Sequence, residues 1–276
     1  MAGLLITSAT LPFEEYGHVI LGGPGPALAY RVDQDRIRIC LDVPSSVRPV
    51  ANTARWIWEA FSELVPASLR EGLRESLEST PVAWARNSFR PRSYEGAGVA
   101  LIGDSAGFFH PLTAMGITMS LLDAESATLA DALEHHSSRR ARDSYVPELL
   151  SNAIYQAFAR TDRGSLAIRA SILRTWRKSP VQRARTMSLL AAATTSSAEF
   201  NRAFAAVAFD AAVEALTSDP RALPALAEWL RWPCATLCTD RGDVRSRTVS
   251  WAAPESWSSS EWLRALATSK GELHAN

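Results

Sequence analysis

Lysine is almost missing from this chain. Only Lys178 and Lys270 stand beside 27 arginines in 276 residues, a bias of base composition rather than of chemistry. Acidic and basic residues balance at 29 each, so no global field draws the chain to nucleic acid. Cysteine is scarce: Cys40, Cys234 and Cys238 are too few, and odd in number, for a disulfide framework, which points to a reducing compartment. Cys234 and Cys238 have no second ligand pair nearby, so no metal site is expected. The chain lacks the 18-residue apolar run of a spanning helix and the basic-then-apolar start of a secretory signal. A dinucleotide signature is also absent. Strand, G-x-G-x-x-G and helix let a backbone approach a pyrophosphate, whereas Gly22-Gly23-Pro24-Gly25 is followed by Pro26 and no helical pattern. It reads as a turn between strands.

What is present is an α+β pattern, with 47% apolar residues to fill a core. Residues 3–44 alternate as strands do (Ile37, Ile39, Leu41) between Gly, Pro and Asp punctuation, which predicts a meandering antiparallel sheet. Residues 49–79 predict two helices split at Pro66, with Trp56, Phe61, Leu69 and Leu73 as packing residues. Val82–Phe89 predicts a strand, and 98–103 a buried strand. A helix follows from Gly116 to His135, carrying Ile117, Leu121, Leu129 and Leu133 on one face and closing on His135-His136, where imidazolium suits the dipole. Further helices are expected over 142–177, from Pro180 to Ala193, and over 199–217.

The segment from Val99 to Ala124 carries most of the functional signal. A four-residue apolar run ends in Gly103-Asp104. Gly103 lets the backbone turn tightly, and Asp104 then holds a carboxylate at a strand's carboxyl end, where α/β folds seat ligands. The helix opening at Gly116 points unpaired N–H groups and its positive dipole end back at the same place, which suits an anionic group.

These residues resemble the second flavin-contacting motif of the FAD-dependent aromatic-hydroxylase superfamily. His110-Pro111-Leu112-Thr113 followed by Met115-Gly116-Ile117-Thr118 narrows the resemblance to squalene epoxidases (squalene monooxygenases). Gly17–Gly22, Pro24–Tyr30 and Arg38–Pro44 are similar to paired strands of that family's substrate domain, and Asn152–Phe158 with Thr161-Asp162 to its first C-terminal helices. The resemblance covers roughly residues 3–200, and it departs where the family's Gly-Gly-Gly-Met is Ala114-Met115-Gly116-Ile117. A side chain at Met115 is expected to crowd the flavin or shift the loop.

The resemblance implies a partial aromatic-hydroxylase-type flavoprotein with FAD as cofactor, reduced by NAD(P)H either directly or through a partner reductase. Gly103, Asp104, Pro111, Gly116, Ile117 and Thr118 are its implied cofactor-binding residues. It implies epoxidation of an alkene in an isoprenoid or lipid such as squalene, through a flavin hydroperoxide, with no catalytic side chain required. His110 is a structural residue of the turn in one reading and a base in the other, and the sheet around Tyr30 lines an apolar pocket. A separately encoded N-terminal half would complete the flavin site; Met1 fits a true start, a mis-assigned one or the scar of a truncation.

Four segments follow: a partial substrate-domain sheet with two helices (1–95), the returning strand and helix of the FAD domain (96–136), a C-terminal helical region (137–232), and a tail (233–276) with a helix at Ser260–Ser269. In that tail Trp251, Trp257 and Trp262 are not interleaved with a basic run, so RNA binding is not indicated. Within 160–185, eight basic residues against Asp162 alternate with Leu166, Ile168, Ile172, Leu173 and Trp176. This pattern fits an anionic membrane surface or the solvated face of a helical hairpin. The family's membrane-associated C-terminal helices imply peripheral attachment on the cytoplasmic side. The alternative to a monooxygenase is a non-catalytic remnant or membrane-docking module that binds no FAD by itself.

Overall fold

In the computed structural model, residues 1–7, 9–43, 52–88, 95–96, 99–127 and 132–232 are described. They fall into two compact units, 1–87 with 158–160, and 88–157 with 161–232. The tail, with its cysteines, tryptophans and expected helix, lies outside the described residues, as does Phe89.

The first unit is a five-stranded antiparallel sheet with two helices. Its strands are β1 (Ala2–Thr7), β2 (His18–Ile20), β3 (Ala27–Arg31), β4 (Arg36–Leu41) and β5 (Ala83–Trp84), in the order β2-β3-β4-β1-β5. The expected meander holds for β2 to β4. It fails for β1, which pairs with β4 (Leu4 opposite Ile39, Ile6 opposite Ile37) rather than with β2. That register sets Ala2, Leu4 and Ile6 beside Ile37, Ile39 and Leu41 on one face, all buried, and a one-residue slip would turn the whole set to solvent. Helices α1 (Thr53–Phe61) and α2 (Ala67–Ser79) are separated near Pro66, as expected, and bring Ile57, Phe61, Leu69 and Leu73 into the same core. Gly72 permits the close approach of α2 to β1: a Cβ there would stand 3.2 Å from the Thr7 carbonyl. The strand expected over 82–89 is reduced, among the described residues, to Ala83–Trp84, which there pairs only with Ala2 and Gly3 and is exposed.

The second unit is mainly helical. Val99–Ala100 (β7) pairs with Glu95–Gly96 (β6) as a short antiparallel ribbon. The strand expected to be buried over 98–103 is therefore not buried: Val99 and Ile102 are 59% and 42% exposed, because among the described residues only β6 pairs with it. Helix is described over Gly116–Ala127 (α3) and Ala132–Ala159 (α4), so His135 and His136 lie within helix rather than at a C-terminus. His136 is buried and its Nε2 bonds the Leu101 carbonyl at 2.9 Å. Helix continues past it because Val146, Leu149, Leu150, Ala153 and Ile154 recur at helical spacing and are buried.

The stretch 142–177 is divided, since Asp162 starts a new helix, α5 (Arg163–Lys178), by accepting the Ser165 amide at 3.0 Å. Ser179 caps α6 (Pro180–Leu190) and Ser196 caps α7 (Ser197–Ser218) in the same way. A short helix, α8 (Leu223–Ala227), follows. Among the described residues no helix is long and apolar enough to cross a membrane, and no His, Cys, Asp and Glu cluster is set to hold a metal ion.

Candidate functional site

Gly103 opens a tight turn (Gly103–Ser105) with φ of +57°. A Cβ at this position would lie 2.6 Å from the Ser120 Oγ, so both conformation and space require glycine. The turn packs on α3 and leaves Asp104 exposed. Its Oδ1 stands 3.7 Å from where a Cβ on Gly116 would be, beside the first residue of α3. The first amides of a helix have no intrahelical acceptor, and the first turn of α3 contains no acidic residue to neutralise its dipole. A cleft brings Gly103, Asp104 and Gly116 together with Gly107, Phe108 and Phe109. Pro111, Ile117 and Thr118 lie outside its lining. Pro111 and Ile117 are exposed and Thr118 is half-buried.

The loop between turn and helix is built around His110. Its Nδ1 accepts the Leu112 amide at 3.1 Å, which places the ring proton of the neutral imidazole on Nε2. The ring is buried against Tyr155, with centroids 4.6 Å apart. Thr113 Oγ1 donates to the His110 carbonyl at 3.2 Å and contacts Ser151 Oγ at 3.3 Å. Ala114 takes a left-handed φ of +53°. The chain then turns Met115 inward, where it is buried, as is Met119. Met115 fills core here and does not obstruct the cleft.

Three further residues, of which Arg140 lines the cleft, were not picked out as functional from sequence. Asp123 Oδ2 accepts the Gly103 amide at 2.7 Å and forms an ion pair with Arg140, both side chains at most 5% exposed. Arg140 Nη2 also donates to the Gly107 carbonyl at 3.4 Å. Glu148, two turns along α4, is buried, and desolvation pushes its carboxyl up to about 8 against the pull of Arg140. The available signal was an acid inside an apolar helix face at Asp123, and another beside Leu149-Leu150.

In the first unit, Tyr30 lies on the sheet face opposite the helices, across from Arg38, and beside it Leu28 stands opposite Cys40. Burial raises the pKa of the Cys40 thiol and of the Tyr30 phenol.

The family model for squalene epoxidase matches residues 1–228. Among curated proteins, squalene epoxidase 2, mitochondrial, of Arabidopsis thaliana is 33% identical over 125 residues, 44% of this chain and 21% of the relative. Squalene monooxygenase of Eremothecium gossypii and a squalene epoxidase of Saccharomyces cerevisiae are each 30% identical over 173 residues, 57% of this chain and 34% of theirs. The chain thus spans between a fifth and about a third of the length of these relatives. Among solved structures, a probable FAD-dependent monooxygenase from Pseudomonas aeruginosa aligns with a TM-score of 0.44 at 18% identity, over 57% of this chain and 48% of that one.

Proposed function

This chain belongs to the squalene epoxidase family, as its motif residues indicated, and from that membership we propose that it forms the flavin-facing part of an FAD-dependent monooxygenase. The observation that carries the reading is Asp104 set beside the N-terminus of α3 at Gly116. Local chemistry fits the group. Gly116 leaves backbone exposed at the cleft, the helix start offers amide donors and a positive dipole end to an anionic portion, and an exposed carboxylate can accept from ribityl hydroxyls. Pro111, Ile117 and Thr118 flank the helix start and border the same group from outside the cleft.

FAD, when bound, supplies the oxygen activation. The chain's own residues orient it and exclude water. The proposed substrate is an isoprenoid or lipid alkene such as squalene; the outward sheet face is not the apolar pocket expected for it, since Arg38 stands opposite Tyr30, which is exposed. Reduction by NAD(P)H, either directly or through a partner reductase, and a dinucleotide-binding half carrying the remaining FAD contacts complete the proposal. Peripheral membrane attachment belongs to it as well. It is supported by Phe209, Val213 and Leu216, exposed at helical spacing on α7.

The test is an FAD titration of the purified chain and of Asp104→Ala, followed by flavin fluorescence. Loss of a hydrogen bond to a charged group, roughly 1.5–3 kcal/mol, raises the dissociation constant about tenfold or more. Equal affinity in the two proteins overturns the role given to Asp104. Weak binding by the chain alone is expected, since the proposal leaves the remaining FAD contacts to a dinucleotide-binding half. No binding even with that half present favours the docking-module reading, and stoichiometric submicromolar binding by the chain alone overturns the need for that half.

A further inference from the structure

We propose that Asp123 and Arg140 are positioning residues that clamp the Asp104-bearing loop at both ends and so set the carboxylate against the α3 N-terminus; this deepens, and rests on, the flavin reading above. One carboxylate oxygen, Asp123 Oδ2, takes the Gly103 amide at 2.7 Å, immediately before Asp104. The same carboxylate holds Arg140, and Arg140 reaches the Gly107 carbonyl at 3.4 Å. The two ends of the loop 103–107 are therefore tied to one buried ion pair, while Asp104 between them is left exposed.

Stability alone is a poor reason for such a pair. Two charges withdrawn from water recover little net energy, and apolar replacements of similar volume are often neutral or better. What an apolar pair cannot do is accept the amide of a glycine held at φ +57°. The left-handed turn places that amide inward, and a carboxylate accepts from it more strongly than a neutral oxygen does. The geometry thus spends burial on fixing one peptide orientation, and that peptide aims Asp104.

The experiment uses the full chain with two readouts: hydrogen exchange at the Gly103 amide, read by NMR without flavin, and FAD affinity by fluorescence. Asp123→Ala is expected to speed Gly103 exchange at least tenfold and to raise the FAD dissociation constant at least tenfold. If that variant fails to fold, Asp123→Asn/Arg140→Gln replaces it. This pair leaves a weaker, neutral acceptor at the Gly103 amide and withdraws the side chain that reaches Gly107, and it is expected to speed Gly103 exchange and raise the FAD dissociation constant, each at least threefold.

In an Asp104→Ala background the Asp123→Ala effect on FAD should vanish, because the clamp acts through Asp104; a merely structural role would leave it additive. Unchanged exchange at Gly103, or additive effects, overturns the clamp. Equal FAD affinity in Asp104→Ala and wild type overturns the flavin reading instead, and the exchange readout then decides the clamp alone.

Discussion

Arg174 and Asp210 are bound to each other between α5 and α7, with Nε at 3.0 Å and Nη2 at 2.7 Å from the same carboxylate oxygen. Burial works to raise the Asp210 carboxyl, yet the Arg174 bond and its neighbours outweigh it and hold the group below its ordinary range. Arg185 pairs with Glu199 at 2.8 Å and Arg163 with Asp219 at 2.9 Å in the same manner. Three of the eight cations over 160–185 are thus matched by acids on or just beyond α7.

Vesicle binding should be driven by apolar contact. Phe209, Val213 and Leu216 are 73%, 46% and 64% exposed, and burying a side chain of this kind gains about 1.5–3 kcal/mol. Replacing all three with serine is expected to reduce partition into vesicles at least tenfold, whereas Arg174→Gln leaves it within twofold. Sedimentation with neutral and acidic vesicles at low and high salt makes the measurement. Pelleting only with acidic lipid at low salt would return the role to the arginines.

Gly103→Ala should destabilise the second unit by about 1–3 kcal/mol, from the positive φ and the approach to Ser120 Oγ together. Adding Ser120→Ala removes the hydroxyl but not the backbone strain. The double variant is therefore expected to recover part of the loss in thermal unfolding, not all of it. Full recovery would mean that space, and not conformation, selects glycine here.

Sheet register is open to a paired test. Ile39 is fully buried, and Val19 on β2 is 44% exposed. Ile39→Ala is expected to lower unfolding free energy by about 2–5 kcal/mol, and Val19→Ala by about 0.5 kcal/mol or less. Similar losses at the two positions in denaturant titrations would contradict the register that places Ile39 opposite Leu4.

What could be read from sequence was what depends on neighbours in the chain. Alternation at Ile37, Ile39 and Leu41 marked a strand because the pleat repeats every two residues. Pro66 marked the break between α1 and α2, and Gly103-Asp104 with Gly116 marked the cleft that the fold assembles. Partners distant in sequence left no local trace. β1 chooses β4 through a register set by the core. Val99 and Ile102 looked buried because an apolar run does not disclose which strands flank it. Arg174 looked free for lipid because its acid lies 36 residues away. Asp123 was visible as an acid on an apolar helix, but its task depends on the Gly103 amide 20 residues earlier.

Glu148 makes stability depend on pH in a direction opposite to that of most carboxylates. Burial pushes its carboxyl in the folded state up to about 8, above the ordinary 4.5, because desolvation disfavours the charge. Between those values the native state binds the proton that the unfolded state has released, so unfolding free energy falls as pH rises, by up to roughly 1.4 kcal/mol per pH unit from this group. The contribution is complete below about pH 4.5 and is lost as pH passes 8. Glu148→Gln, which keeps the shape of the protonated acid, should remove the slope. Urea unfolding of both proteins at pH 5, 6, 7 and 8 reads the difference directly. Wild type is expected to lose ground steadily against the variant across the series. Parallel stabilities would show that Glu148 is already ionised at pH 5, with the Arg140 charge compensating its burial.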